Sequence, residues 1–286
     1  MTSAAALRSD GLSAGVHGVA EVGFAMDPAG RPRLLHLYQQ APLRVLFPTP
    51  SSEDIPVAAI VTTSGGLVGG DRLDVSVSAA AGCALMVTAQ AAEKVYRSAG
   101  ADCLIDVALR VEAGGWLEYL PQDTILFEGA RLRRRTAIER QGGARVLAGE
   151  ILVFGRTARG ESLSRGLIRD SWEVRREGRL AWADALHMDG ELAALLADPA
   201  CFAGAKACAT LLYSADDAVQ ELESVRGELA GSDELKVAAT VVNGQLVVRW
   251  IALDAQVLRR DYARIWAMMR HRIAGLPQAL PRLWHV

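Results

Sequence analysis

The sequence has few of the residues that build catalytic or metal-binding centres. Only four cysteines and five histidines occur in 286 residues, and none of them shows the spacing of a zinc site, such as Cys-x-x-Cys. We therefore expect no metal cage made of His and Cys, and no disulfide framework. The cysteines are interpreted as reduced thiols of the interior, because free cysteine is often buried. They are Cys83, Cys103, Cys201 and Cys208.

Long apolar segments and a strong net charge are also missing. No stretch approaches the roughly 20 apolar residues of a membrane-spanning helix, and the N-terminus lacks the apolar core of a secretory signal. The formal net charge is −2, so the charge balance favours neither nucleic acid nor an anionic membrane as a partner. We expect a cytoplasmic protein that binds neither of them.

Short β-strands are predicted from about residue 31 to residue 189. Residues 72–78 alternate apolar and polar side chains, as in a strand with one buried face. Gly, Pro and Asp, which favour turns, separate this strand from others of similar length. Many short strands at close spacing indicate a sandwich, a barrel or a stacked solenoid. The other predicted strands are 103–111, 116–120, 124–127, 131–138, 146–154, 161–174 and 180–188.

The pattern changes after Gly190. We divide the chain into a strand-rich body, 1–189, and a smaller α+β part, 190–286, packed on it; one continuous domain is the alternative. Asn243 and Gly244 predict a hairpin, because both residues tolerate positive φ. The predicted elements are a helix at 191–197, a strand at 209–213, a helix that opens near Ser214 or Asp216 with Val219, Leu222 and Val225 on one face, and hairpin strands at 236–242 and 245–253.

A last helix is the clearest element of the C-terminal part. Asp254 can cap its N-terminus, and Gly275 followed by Pro277 would end it. Its apolar residues recur at helical spacing. We therefore predict that it docks through Trp266 and Met269, either on a partner or on the core of this chain.

A glycine loop, Thr62 to Asp71, is the most unusual motif. Gly65 and Gly70 have the separation of the glycines in a P-loop, but Asp71 and Arg72 stand where that motif has Lys and Ser or Thr. A strand follows instead of a helix, and no Gly-x-Gly-x-x-Gly is present. These departures argue against nucleotide binding. Asp71 either accepts hydrogen bonds from nearby backbone amides in an Asx-type turn or has a function of its own.

Several charged residues remain open to two interpretations. Glu93, Lys94 and Arg97 form either a local polar network or a solvated turn. The basic run 131–135 lacks neighbouring aromatic residues, so we expect its arginines to pair with acids or with a protein partner instead of RNA.

Glu150 and Asp184 lie inside strand-like, mostly apolar segments. A carboxylate in such a place costs free energy unless it is paired, hydrated or functional. The residues alone leave a structural ion pair and a functional role open.

Six stretches of the sequence carry a resemblance: SGGLVGGDRL (64–73), QAAEKVYRS (90–98), LEYLPQDTILFEGARL (117–132), LVFGRTARGE (152–161), WADAL (182–186) and LPRLW (280–284). Taken together, they resemble one family, the urease accessory protein UreD, also called UreH. The resemblance implies a mainly β fold, with many short strands stacked in a helical, solenoid-like arrangement and a smaller C-terminal part. It also implies a non-enzymatic role, because proteins of this family bind apo-urease and, with UreF and the GTPase UreG, support nickel delivery into the urease active site.

The resemblance also implies an internal, water-filled passage for nickel. By motif position, its polar lining would include Asp71, Glu150 and Asp184. Oxygen ligands can hold a divalent ion briefly, so we expect nickel in transit, with no fixed metal site and no permanently bound cofactor. The rival interpretation is a metal-dependent hydrolase that uses the same three acids as ligands, and a third is a scaffold in which the acids serve only structure.

Overall fold

Two β-sheets packed face to face form the body of the protein. The computed structural model describes residues 15–285. Its helices are α1 (Ala193–Ala197), α2 (Leu222–Glu228) and α3 (Ala255–Ala274), with short 3-10 turns at Thr157–Arg159 and Arg282–His285. Its strands are β1 (His17–Met26), β2 (Pro32–Gln40), β3 (Leu43–Leu46), β4 (Val57–Thr62), β5 (Arg72–Ala79), β6 (Ala84–Ala89), β7 (Glu93–Val95), β8 (Cys103–Val111), β9 (Trp116–Leu120), β10 (Thr124–Leu126), β11 (Arg131–Arg140), β12 (Arg145–Phe154), β13 (Arg165–Arg176), β14 (Arg179–Glu191), β15 (Ala207–Ser214), β16 (Leu235–Val242) and β17 (Gln245–Ala252).

The chain winds back and forth between the two sheets, as in a solenoid. The first sheet has the order β14-β13-β11-β8-β5-β1-β2, and the second has the order β16-β17-β15-β12-β9-β6-β4-β3, with β10 bridging β12 and β7. Strand β5 of the first sheet is followed along the chain by β6 of the second sheet. In the same way, β8 is followed by β9 and β11 by β12. Equivalent positions stack in register, for example Val75 beside Val107 and Val107 beside Thr136. This stacking confirms the predicted mainly β, solenoid-like fold.

The second sheet continues into the C-terminal part without interruption. β12 pairs antiparallel with β15, β15 with β17, and β17 with β16. Strands β16 and β17 form the predicted hairpin, and Asn243 and Gly244 at its turn have positive φ angles of 47° and 77°. The chain therefore passes from the strand-rich body into the α+β part within one hydrogen-bonded sheet.

Helix α3 packs on the outer face of the second sheet. The Asp254 side chain caps its first turn by accepting hydrogen bonds from two backbone N–H groups, at 2.6 and 3.1 Å. Gly275 ends the helix with a φ of 66°. Trp266 and Met269 are fully buried in the apolar layer between the helix and the sheet. The helix thus docks on the core of its own chain.

A buried ion pair between Arg270 and Glu118 fixes this helix to the sheet. Nε of Arg270 lies 3.1 Å from both carboxylate oxygens of Glu118, and neither side chain is exposed. The indole N–H groups of Trp116 and Trp266 donate to the same carboxylate at 3.0 and 2.7 Å. Asp54 binds the far side of the guanidinium. Because each buried charge has several partners, the cost of removing it from water is offset.

The structure corrects two of the predicted element boundaries. In the part of the chain that the structure describes, the first strand begins at His17 and not near residue 31, and this strand, β1, lies inside the first sheet between β5 and β2. Helix α2 begins at Leu222 and not near Ser214 or Asp216, because Ser214 is the last residue of β15 and the Asp216 carboxylate pairs with a buried arginine of β11. Val219 precedes the helix and is 56% exposed.

The cysteines are not all interior residues. Cys83 and Cys103 are buried and Cys208 is half-buried, but Cys201 is exposed, so the prediction is wrong for that residue. Cys201 lies in the turn after α1, where its backbone N–H donates to the carbonyl oxygen of Asp198 at 3.0 Å. A tight turn at the surface leaves its side chain in solvent.

We predict that Trp266→Ala lowers the free energy of unfolding by about 3–5 kcal/mol, the usual cost of removing a buried aromatic side chain. The change also leaves one oxygen of buried Glu118 without its indole donor. Urea-induced unfolding would measure the difference. Val219→Ala, at an exposed position, is the control and should change the free energy by less than about 0.5 kcal/mol. An unchanged unfolding midpoint for Trp266→Ala would contradict this account of helix docking.

Candidate functional site

Two carboxylates and one guanidinium meet between the sheets. In-register pairing of β11 with β13 places Arg134 beside Asp170, and β12 of the facing sheet contributes Glu150. Nε of Arg134 donates to Oδ1 of Asp170 at 3.0 Å, while its Nη2 donates to the other Asp170 oxygen and to Oε2 of Glu150. Arg134 is only 8% exposed, and both acids are buried. The interior thus holds two acids around one base, which we call the Arg134 cluster.

Two uncharged groups complete the Arg134 cluster. Nη1 of Arg134 donates to the Thr124 hydroxyl at 3.1 Å, and the indole N–H of Trp172 donates to Oε1 of Glu150 at 2.9 Å. Burial raises the pKa of Glu150 well above its ordinary value; Arg134 opposes this effect, and Asp170 adds to it. Because two carboxylates share one guanidinium, the cluster favours a further proton or cation.

A cavity of about 290 Å³ lies between the sheets beside this cluster. Its mouth is formed by Gly65 and Gly66 of the glycine loop and by residues 90–94, which are largely exposed. Its inner wall includes Thr124 and Arg134. Glu150 and Asp170, the carboxylates of the Arg134 cluster, do not line the cavity. The glycine loop is thus the opening of an interior space that ends at a buried charge.

A second arginine–acid pair lies on the far side of the cluster, at the edge of the sheets. Arg249 of β17 donates to Asp184 of β14, so this pair also joins the two sheets. Asp184 is the in-register neighbour of Trp172, whose indole binds Glu150. Cys208 of β15 lies close to Glu150 and Arg249. Burial raises the pKa of its thiol, and the charge of Glu150 raises this pKa further. Polar groups therefore continue from the Arg134 cluster to the sheet edge.

Asp71 holds the glycine loop in place. Its Oδ1 accepts the backbone N–H of Val16 at 2.9 Å, and its Oδ2 accepts the backbone N–H of Val68 at 2.8 Å. Gly15 lies so close to Gly70 that a Cβ on Gly15 would stand 2.0 Å from the Gly70 carbonyl oxygen. Oδ1 of Asp71 therefore ties the loop to the start of β1, and Oδ2 ties Asp71 to the loop itself. The partners are backbone amides, as one interpretation of the sequence expected, but Val68 lies three residues before Asp71 and not two residues after it as in an Asx turn.

Glu93 belongs to the wall of the cavity and forms no ion network with its sequence neighbours. The Thr62 hydroxyl donates to Glu93 at 2.6 Å, and burial raises the pKa of the Glu93 carboxyl. Within residues 15–285, no salt bridge joins Glu93, Lys94 and Arg97. Glu93 is instead the in-register neighbour of Thr124 on the adjacent strand. The parallel pairing of β7 with β10 thus turns this carboxyl towards the interior.

The basic run at residues 131–135 pairs with acids, as predicted. Arg131 and Arg133 on the outer face of β11 both bind Asp102, and Arg135 binds Glu173. Of the four arginines in this run, only Arg134 points inward, because side chains alternate between the two faces of a strand. The run is a row of paired charges with one member in the core.

Sequence reasoning found Glu150 and Asp184 but missed their partners. Asp170 gives a weaker signal than Glu150, because its strand is rich in charged residues; the signal is that buried Ile168 and Trp172 lie two positions away on the same face. Arg134 was missed because it belongs to a run whose other arginines face solvent. The alternation of side chains along a strand nevertheless places Arg134 on the opposite face from the other three. A partner from a distant strand such as Arg249 of β17 leaves no signal in the local sequence.

The three predicted passage residues do not form one ligand set. In the part of the chain that the structure describes, no group of three or more His, Cys, Asp or Glu side chains is arranged to hold a metal ion. Asp71 binds backbone amides, whereas Glu150 and Asp184 each bind a different arginine. The same part of the chain contains no helix that is both long and apolar enough to cross a membrane.

The fold and this interior define a β-solenoid scaffold with paired charges in its core. The profile of the family described as UreD urease accessory protein matches residues 16–285. The chain is 50% identical over 279 residues to the urease accessory protein UreD of Magnetococcus marinus, with 96% of each chain covered. It is 41% identical over 256 residues to UreD of Azorhizobium caulinodans, covering 90% of this chain and 92% of that one. It is also 41% identical over 267 residues to the urease accessory protein UreD 2 of Methylorubrum populi, covering 93% and 87%.

The chain belongs to the UreD family of urease accessory proteins. Its role is therefore in urease maturation, and the relatives are named as accessory proteins and not as enzymes. These matches confirm the family and the non-enzymatic role expected from the sequence.

We predict that the acids differ in their contribution to stability. Asp71→Ala should lower the free energy of unfolding by about 1–3 kcal/mol, because two backbone N–H groups lose their acceptor. Asp184→Ala should cost less than about 1 kcal/mol, because its ion pair is partly exposed. Urea unfolding of both variants would test the difference. A change for Asp71→Ala as small as that for Asp184→Ala would refute the loop-holding role of Asp71.

Proposed function

We propose that this chain supports urease maturation by offering Ni²⁺ a polar route between its two sheets. The route leads from the cavity under the glycine loop, past the Arg134 cluster, to the edge at Asp184. The observation that carries the proposal is the Arg134 cluster itself, where Glu150 and Asp170 from facing sheets meet in the core. Asp71 contributes by holding the mouth of the cavity open against β1.

The chemistry of the groups along this route suits a divalent cation in transit. Glu93 lines the cavity, Glu150 and Asp170 lie in the core, and Asp184 lies at the edge. Carboxylate oxygens bind Ni²⁺ less tightly than a cage of imidazole and thiolate ligands does. Nickel is then cargo, and the protein holds no permanent cofactor.

The contacts of these acids favour a route over a hydrolytic centre. A metal-dependent hydrolase needs several ligands that converge on one ion and leave a position open for water. Here Glu150 and Asp184 are bound by separate arginines, and Asp71 is bound by backbone amides. Acids spaced along a path can pass an ion from one to the next.

The proposal includes partners at both ends of the route. Apo-urease would receive the nickel, and UreF, with the GTPase UreG acting through it, would supply it in the cytoplasm. Membership of the UreD family supports this assignment, since the route needs one protein that loads the ion and another that accepts it.

We predict that Glu150→Gln and Asp184→Ala reduce the nickel content and the activity of urease several-fold when the maturation proteins are produced together in cells. Each change removes a negative charge from the route, and both variants should still copurify with UreF. Asp71→Ala should have the same effect by loosening the loop. Asp189→Ala, on the same strand as Asp184 but 51% exposed, is the matched control.

Urease with a normal nickel content in the Glu150→Gln and Asp184→Ala cells would refute the route. Loss of UreF from the purified complexes would instead show that the changes act on assembly. Tight metal binding together with hydrolysis of a substrate by the isolated chain would favour the hydrolase.

A further inference from the structure

The geometry points to Arg134 as the gate of this interior: its guanidinium is a built-in cation that occupies Glu150 and Asp170 until Ni²⁺ displaces it. The inference rests on the proposed nickel route and assigns its control to one residue.

The guanidinium stands between the cavity and the acids. Its Nε and Nη2 bind Asp170 and Glu150, and its Nη1 binds Thr124 at 3.1 Å. Arg134 and Thr124 both line the cavity, whereas Glu150 and Asp170, which Arg134 binds, do not. An ion that enters under the glycine loop therefore meets the positive charge of Arg134 before it reaches either acid.

The charges of the cluster favour exchange of one cation for another. Two carboxylates carry up to two negative charges, and one guanidinium balances only one of them. A divalent cation balances both and accepts oxygen ligands directly. Once Ni²⁺ is bound there, its charge repels the guanidinium, so the ion and Arg134 exclude each other at this point.

The cavity gives the displaced side chain a place to go. Arg134 already forms part of its wall, so its guanidinium can turn into this space while the sheets stay packed. Glu93 lies in register beside Thr124 and lines the same cavity. The Thr62 hydroxyl is its side-chain donor, which leaves carboxylate lone pairs to accept an N–H of the displaced guanidinium. Arg134 thus has acids on both sides of this movement, Glu150 and Asp170 in the cluster and Glu93 in the cavity.

Arg134→Lys tests the gate in the purified full-length chain, with Ni²⁺ alone as the ligand in equilibrium dialysis. The compact lysine ammonium keeps the charge but cannot span Asp170, Glu150 and Thr124 together. We expect Ni²⁺ to bind on the order of tenfold more tightly than in the wild type, the effect of losing one or two charge-assisted hydrogen bonds at the gate. Arg134→Lys combined with Glu150→Gln should abolish the gain.

Arg140→Lys is the matched control. Arg140 lies on the same strand, is 1% exposed, and binds Ser214 and Asp216. It does not line the cavity in the described structure, so its replacement should leave the affinity for Ni²⁺ unchanged. A gain equal to that of Arg134→Lys would overturn the inference, because loosened packing alone would then explain it.

Thr124→Val keeps the test decisive if Arg134→Lys does not fold, as judged by thermal unfolding. This change removes one acceptor of Arg134 and leaves every charge in place, so affinity for Ni²⁺ should rise about threefold, as for one hydrogen bond. Wild-type affinity in a folded Arg134→Lys protein, or in Thr124→Val if only that variant folds, overturns the gate. The route itself fails if Glu150→Gln leaves urease nickel normal; the gate alone fails if Glu150→Gln lowers urease nickel and Arg134→Lys binds Ni²⁺ like the wild type.

Discussion

The ion cluster of Arg134 with Glu150 and Asp170 is the constraint on which the interior of this protein depends. It joins strands from both sheets in the interior, where Ile105 is the in-register neighbour of Arg134 and Leu186 is that of Asp170. A charge buried in this way is tolerated only while its partners remain. The cluster therefore fixes the spacing of the sheets, bounds the cavity, and leaves an uneven balance of charge in the core.

The same device recurs where other parts of the fold meet. Arg270 binds Glu118 and Asp54 and fixes α3 to the second sheet. Arg140 reaches from the first sheet to Asp216, after the end of β15. An arginine suits such junctions, because its planar guanidinium can bind several acceptors at once and stays charged when buried. At each junction, the hydrogen-bond geometry of the arginine thus specifies which side chains meet, in addition to their burial.

A nickel route and a stable core place opposite demands on the same residues. A stable core needs its acids neutralised, whereas a cation route needs them accessible. In the proposed route, the group that neutralises the acids of the Arg134 cluster is itself a side chain beside a cavity. Two positions of that one side chain would meet the two demands. At the edge, Arg249 and Asp184 are partly exposed, and exchange with solvent is easier there.

The sequence by itself determined the fold class, the family and the presence of acids in apolar strands. It also determined the cap and end of α3 and the hairpin at Asn243 and Gly244. These features could be predicted because periodicity, turn chemistry and motif content are local properties. It also showed that the glycine loop does not match a phosphate-binding motif. Only the tertiary structure decided that Asp71 holds a loop, that Glu93 faces a cavity, and that Arg134 leaves its basic neighbours to join Glu150 and Asp170. Those pairings depend on strand register and on contacts between distant strands, and no local pattern records which distant side chain a buried charge will meet.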